Sequence, residues 1–171
     1  TIENCYFNGM NEDTGYDGQI TLYGGNDISI RNNYFTYADT SFECTHNIEN
    51  IQISDNILND INYSFDFGSF DNMIKNLTVK NNTFINNHYT SMISYCNNLD
   101  LIDNSFKNTH GLELSHCNDM NVNNNLFENN TLGLKLDGCN GYDIWRNQFI
   151  NNDIQAQDST VNSWNKPYPI G

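Results

Sequence analysis

The sequence predicts an all-β fold, a right-handed parallel β-helix of about seven coils, each built from three short strands. Three observations predict it: a six-residue pattern that recurs along the chain, alternation of aliphatic and polar residues in runs too short for helices, and an excess of asparagine. With 37% hydrophobic residues, the 171-residue chain has enough apolar side chains to form a core.

The recurring pattern is an aliphatic residue, any residue, Asn or Asp, Asn, any residue, and Phe. Residues 30–35, 79–84, 101–106 and 122–127 fit it, and residues 2–7, 53–58 and 144–149 fit with one change each. The last positions are separated by 28, 23, 26, 22, 21 and 22 residues, and they are Phe7, Phe35, Leu58, Phe84, Phe106, Phe127 and Phe149. Self-similarity at this period indicates a solenoid.

A second set of aliphatic residues alternates with polar ones later in each repeat. We align Leu112 and Leu114 with Leu134 and Leu136, and then with Ile154 and Ala156 in the last repeat. Leucine-rich repeats share this period, but the helical segment that they need opposite the strand is missing here. The prediction is one domain over 1–171: an irregular first coil with an insertion at 8–27, regular coils at 28–157 and a tail at 158–171.

Asparagine accounts for 34 of the 171 residues, although ordinary strands disfavour it. Stacked coils place equivalent residues above one another at ~4.8 Å, so that buried amides can bond to copies of themselves. We therefore predict an internal Asn ladder next to the Phe stack, formed by Asn33, Asn56, Asn82, Asn104, Asn125 and Asn147.

The composition argues against several partners. The formal charge of -14, from 21 acidic and 7 basic residues, repels nucleic acid and anionic membrane surfaces. No apolar run reaches the ~20 residues of a membrane-spanning helix. Because the first residues already belong to a repeat, we expect the chain to be a fragment of a longer one.

With these repeats in view, the chain resembles the PbH1 β-helix repeats of NosD-like and archaeal surface proteins, which are related in fold to pectate lyases. The resemblance covers nearly the whole chain, and residues 155–171 look like the segment that ends such arrays. It implies an extracellular or cell-surface location. For activity the resemblance is less informative, because lyases, epimerases, adhesins and accessory proteins share this fold.

Three cysteines, Cys96, Cys117 and Cys139, occupy one column of consecutive coils. We expect buried free thiols there, with a disulfide or a soft-metal site as the alternatives. Cys5 replaces a ladder Asn and is also expected to be buried, whereas Cys44 has no assigned role.

Two histidines, His88 and His110, each lie four residues after a Phe anchor and should stack. Asp39, Asn62, Thr131 and Asp153 fill the same column. His88, His110, Asp39 and Asp153 are therefore the candidates for catalysis, and the two histidines are the candidates for a metal site. Surface decoration is the alternative interpretation.

An outward column is expected to contain Asp66, Met92, Glu113, Lys135 and Gln155, with Glu113 and Lys135 forming an ion pair between coils. Asp66, Glu113 and Tyr89 are the candidates for carbohydrate binding, since exposed tyrosines such as Tyr16, Tyr37, Tyr63 and Tyr89 can stack on sugars. The motifs of polygalacturonases and mannuronan epimerases are absent from the sequence.

A calcium ion is a candidate cofactor at the acidic insertion, where Glu12, Asp13 and Asp17 lie among glycines, but an acidic surface loop explains these residues as well. The sequence thus favours an extracellular structural, adhesive or carbohydrate-binding module without catalysis. Its expected partners are a polysaccharide or cell-envelope glycan, and other copies of itself stacked end to end. The alternatives are a lyase-like or epimerase-like enzyme and a NosD-like copper accessory protein.

Overall fold

The computed structural model describes residues 1–9, 18–44, 46–68 and 73–159, and all regular structure within them is β-strand. The strands fall into seven coils of three. Coils 1 to 4 contain β1 (Ile2–Glu3), β2 (Tyr6–Asn8), β3 (Gly18–Leu22), β4 (Gly25–Arg31), β5 (Tyr34–Thr36), β6 (Thr40–Cys44), β7 (Ile48–Ser54), β8 (Ile57–Asn59), β9 (Tyr63–Phe67), β10 (Ile74–Lys80), β11 (Thr83–Ile85) and β12 (Ser91–Ser94). Coils 5 to 7 contain β13 (Cys96–Ile102), β14 (Ser105–Lys107), β15 (Leu112–Ser115), β16 (Asn118–Asn123), β17 (Leu126–Glu128), β18 (Leu132–Asp137), β19 (Asn140–Trp145), β20 (Gln148–Ile150) and β21 (Ile154–Asp158).

The first, second and third strands of the coils form three separate sheets of seven parallel strands each. Every strand pairs only with its equivalents in the neighbouring coils, and Phe7, Phe35, Leu58, Phe84, Phe106, Phe127 and Phe149 are register partners in that order. The predicted fold class, a parallel β-helix, is therefore confirmed.

A continuous stack of asparagines, buried except at the partly exposed Asn147, runs along one corner of the coil. The amide nitrogen of each donates to the side-chain oxygen of the next over 3.0–3.1 Å, through Asn33, Asn56, Asn82, Asn104, Asn125 and Asn147. The same oxygen accepts the backbone N–H of the preceding Asn, as between Asn104 and Asn125 over 2.9 Å. Each buried amide is thus satisfied by its copies, which removes the cost of burying it.

A second buried polar stack, which the sequence analysis did not identify, follows the second sheet. Asn152 accepts the backbone N–H of Asn130, and Asn130 accepts that of Thr109. Asn87 accepts the backbone N–H of Ile61 in the same way. Both turns that flank the second sheet are therefore fixed by buried side chains.

Backbone conformation gives a further reason for the asparagines. Among the described residues, twenty non-glycine residues have positive φ, and eleven of them are Asn and five are Asp. These two residue types tolerate the left-handed conformation that a tight turn requires. Ladder formation accounts for only part of the asparagine excess, and turn geometry accounts for much of the rest.

Two details of the predicted alignment were wrong. Ile154 pairs with Leu132 and Ala156 with Leu134, so the last coil is shifted by two residues, and the partner of Lys135 is Gln157 instead of Gln155. Cys5 was expected to be buried but is exposed. It lies in coil 1, which has a neighbouring coil on one side only in this structure.

Residues 10–17, 45, 69–72 and 160–171 lie outside the described part of the chain. The candidate calcium loop with Glu12, Asp13 and Asp17, Tyr16 and most of the predicted tail therefore receive no structural description. Within the described ranges there is no helix of the length and apolar character that a membrane crossing needs.

Candidate functional site

A groove of about 230 Å³ lies against the third sheet and extends from coil 2 to coil 5. Its lining combines two carboxylates, Asp66 and Glu113, with apolar side chains and hydroxyls. The remaining lining residues are Thr40, Tyr63, Phe65, Thr90 and Met92. A surface that offers apolar contact together with a few polar groups is typical of small-ligand and sugar-binding sites.

Two polar side chains in this groove have no hydrogen-bond partner among the described residues. Thr40 is only 3% exposed, and neither its hydroxyl nor the Asp66 carboxylate takes part in any side-chain hydrogen bond or ion pair there. Burial raises the pKa of the Asp66 carboxyl above its ordinary value. Among the described residues the one fully buried side-chain N or O atom without a partner is Ser105 Oγ. The Thr40 hydroxyl and the Asp66 carboxylate therefore reach the groove surface, where water or a ligand can bond to them.

An aromatic surface lies beside these polar groups. The rings of Tyr63 and Tyr89 stack with centroids 4.9 Å apart and an angle of 22° between their planes. Both residues stay partly exposed, Tyr63 at 37% and Tyr89 at 49%. The tyrosines look scattered along the sequence, but stacking of consecutive coils turns these two into one platform. Their equal distance after Leu58 and Phe84 was the signal that could have revealed it.

The groove ends where the later coils close their corners with glycine. A Cβ on Gly111 would lie 2.0 Å from the Leu132 carbonyl oxygen, and Gly111 has a φ of +113°. A Cβ on Gly133 would lie 2.2 Å from the backbone carbonyl oxygen of Gln155. Near the same corner, coils 3 and 4 have Tyr63 and Thr90, which line the groove with their side chains.

Charges follow one outward column of the third sheet. Glu43, Asp66, Met92, Glu113 and Lys135 are consecutive register partners. The Lys135 ammonium contacts the Glu113 carboxylate at 2.9 Å, so the predicted ion pair is confirmed. Glu43 accepts the backbone N–H of Gly18 and the hydroxyl of Thr21. Within the described residues, Asp66 is thus the one carboxylate of this column without a hydrogen bond or ion pair.

The histidine candidates form a column, as predicted, but no compact site. Backbone hydrogen bonds place Asp39, Asn62, His88, His110, Thr131 and Asp153 in consecutive coils. Both histidines are exposed, and Asp39 and Asp153 each lie two coils away from the nearer histidine, roughly 10 Å at the usual strand spacing. Asp39 instead accepts a hydrogen bond from Asn62 over 2.9 Å. In the described segments, no three His, Cys, Asp or Glu side chains are grouped to hold a metal ion.

The cysteine column lies in the core. Cys96, Cys117 and Cys139 are buried free thiols, and Cys44 is a fourth, placed at the end of β6. The Cys117 thiol donates to the Ile93 carbonyl over 3.4 Å and the Cys139 thiol to the Leu114 carbonyl over 3.2 Å. Burial raises the pKa of Cys96 to about 12. Because a soft metal binds the thiolate and must be able to reach it, the burial of these three thiols in the core works against a ligand set.

Fold and groove together define a parallel β-helix that carries a ligand-sized depression on one outer sheet face. The model of a family described as "Periplasmic copper-binding protein (NosD)" matches residues 2–171. The chain therefore belongs to this family, and the predicted resemblance is confirmed. Membership supports a location outside the cytoplasm at a coarse level. No curated protein and no solved structure matches the chain.

The donor set of the described residues does not fit a copper site. Copper prefers thiolate, thioether and imidazole ligands. Four of the five cysteines are buried, and Met92 lies on the third sheet while Met73 precedes β10 of the first. His88 and His110 lie in adjacent coils, and no third His, Cys, Asp or Glu of the described ranges is grouped with them to hold a metal ion.

Proposed function

We propose that this chain is an extracytoplasmic glycan-binding module, and that the groove on the third sheet is its binding site. The observation that carries the proposal is the pairing of the Tyr63–Tyr89 platform with two polar groups, Thr40 and Asp66, that lack partners among the described residues. Sugar rings present an apolar face and a rim of hydroxyls, and this combination complements the groove.

Each part of the groove corresponds to a part of a sugar. The ring face would stack on Tyr63, and Met92 would add apolar contact. Hydroxyls at the edge would donate to the Asp66 carboxylate and exchange hydrogen bonds with Thr40. Because the groove crosses several coils, it suits an oligosaccharide better than a monosaccharide.

The direct test is a calorimetric titration with a panel of neutral oligosaccharides, using a matched pair of tyrosine variants. Tyr63→Ala removes one ring of the platform in the groove. Tyr6→Ala removes an exposed ring that stacks on Tyr34 with centroids 5.4 Å apart, on the second sheet and away from the groove. We expect Tyr63→Ala to weaken binding at least about tenfold, and Tyr6→Ala to leave it unchanged.

A thermal melt of each variant separates loss of the site from loss of the fold. If the parent protein binds no member of a broad neutral panel, the proposal fails. Equal weakening by both tyrosine substitutions would contradict the placement of the site in this groove.

The family match favours a second candidate, copper binding. Titration of the protein with Cu(I) and Cu(II), and of a His88→Ala/His110→Ala variant, would test it. Retention of copper that depends on the two histidines would support a copper role. Retention that survives their removal would assign the metal to other residues.

A further inference from the structure

The charge pattern of the groove points to one kind of sugar. The outward column places Glu43, Asp66 and Glu113 along the same face, and the chain has 21 acidic residues against 7 basic ones. Such a surface repels uronates and other anionic sugars and attracts cations.

Among the carboxylates of this column, Asp66 is the one that can accept a cationic ligand. Glu113 already contacts the Lys135 ammonium at 2.9 Å, and Glu43 accepts the backbone N–H of Gly18 over 3.2 Å. Asp66 has neither kind of partner in the described part of the chain, although the groove shields it partly from water. Water can reach the half-buried carboxylate, and an ammonium group bound there would replace that water with a charge-assisted hydrogen bond.

The side chains around Asp66 suit an ammonium group on a sugar ring. Tyr63 lines the same groove and presents an aromatic ring, which attracts a cation as well as a sugar face. Thr40 lines the same groove, and its hydroxyl adds a hydrogen-bond acceptor. A free metal cation would need several further oxygen ligands, but the described residues do not group three acidic or imidazole side chains.

We infer that the groove selects glycans with free amino groups, that is, deacetylated amino sugars, with the ammonium held by Asp66 and the ring stacked on Tyr63. This inference rests on the proposed glycan-binding function and adds the substrate class to it.

The test compares two ligands that differ only in the substituent at C2: a fully deacetylated chito-oligosaccharide and a cello-oligosaccharide of equal length. Calorimetry in low-salt buffer near neutral pH should show binding about tenfold tighter for the amino sugar. The preference should decrease as salt is added, because ions screen the attraction to this partly open groove.

Two Asp→Asn substitutions distinguish a specific contact from general attraction to an acidic protein. Asp66→Asn removes the carboxylate of the groove and should abolish the preference for the amino sugar while neutral-sugar binding persists. Asp55→Asn removes one charge at an exposed turn with positive φ, where Asn is well tolerated, and should retain the preference.

Each outcome is decisive. Equal affinity for both oligosaccharides would overturn the inference and leave the glycan-binding function intact. An amino-sugar preference that is unaffected by Asp66→Asn, or reduced equally by Asp55→Asn, would also overturn it, since charge alone would explain the binding. Absence of binding to either ligand and to the neutral panel would overturn the inference together with the proposed function.

Discussion

Coils 4 to 7 differ from coils 1 to 3 in how aromatic rings fill the core of the β-helix. In the later coils the rings of Phe84, Phe106, Phe127 and Phe149 stack face to face, with centroids 4.4–5.1 Å apart and planes within 6° of parallel. Phe7 and Phe35 of coils 1 and 2 stack in the same way, with centroids 4.7 Å apart. Leu58 interrupts the stack in coil 3, where Phe65 and Phe67 fill the core with tilted rings. Phe42 adds an edge-on contact with Phe35 in coil 2.

The regular half is specified by repetition, because each side chain packs against a copy of itself and one solution serves every coil. In the irregular half the coils have different lengths and the core is a mixture of rings. The groove lies where the two halves meet, from coil 2 to coil 5. Regularity thus stabilises the rod, and the departure from regularity makes room for a ligand.

The largest effect is expected from a cavity in the regular half. Phe106→Ala removes a buried ring between Phe84 and Phe127, and stacked coils on both sides cannot collapse into the space. We expect the free energy of unfolding to fall by about 3–5 kcal/mol. Urea denaturation followed by circular dichroism measures it, and a loss below about 1 kcal/mol would show that the stack relaxes easily.

The second largest loss of stability is expected from a break in the asparagine stack. Asn125→Leu leaves the backbone N–H and the amide of Asn104 without their acceptor, and it removes the donor to Asn147. The expected destabilisation is ~1–3 kcal/mol. Exposed Asn124→Asp is a suitable neighbouring control in the same denaturation series, because Asp also tolerates the positive φ of 55° at this position. A melting temperature unchanged by Asn125→Leu would argue that these buried amides do not depend on one another.

Restoring the repeat in coil 3 should destabilise the protein. Leu58→Phe matches the pattern of the other coils, but Leu58 is fully buried and Phe65 already packs against Phe84 at 5.4 Å. Overpacking should cost about 1–3 kcal/mol. If thermal melting instead shows a stabilised variant, the irregular half has space that the ring arrangement conceals.

The smallest effect concerns Asp66 and pH. Its pKa is raised in the folded state by burial, so the folded protein binds this proton more tightly than the unfolded chain does. Stability from this group is therefore greatest below the ordinary carboxyl pKa of 3.8 and decreases as pH rises through the higher folded value. Asp66→Asn should remove this decrease and be slightly more stable than the parent at neutral pH.

Melting temperatures of Asp66→Asn, Asp55→Asn and the parent across the acidic range measure the effect, with Asp55→Asn correcting for the loss of one charge. If Asp66→Asn gains no stability over Asp55→Asn at neutral pH, the Asp66 carboxylate is better solvated than its burial indicates.

Much of the fold could be predicted because a β-helix repeats its interactions at fixed sequence intervals. The position of Phe106 over Phe84 and that of Asn125 over Asn104 follow from one motif. The shift of Gln157 in place of Gln155 could not be predicted, since the last coil departs from the motif in its third strand. The candidate site was harder to predict. The sequence pointed to Asp66, Glu113 and Tyr89, but not to Thr40 or to the stacking of Tyr63 on Tyr89.

By itself, the sequence determined the period, the inward-facing columns and the buried asparagine and phenylalanine stacks, because these depend on local patterns that recur from coil to coil. Only the tertiary structure decided where the coils diverge enough to form a groove, and which polar groups remain without partners inside it. Those features depend on how side chains from coils of unequal length fill the same corner, and no single repeat contains that information.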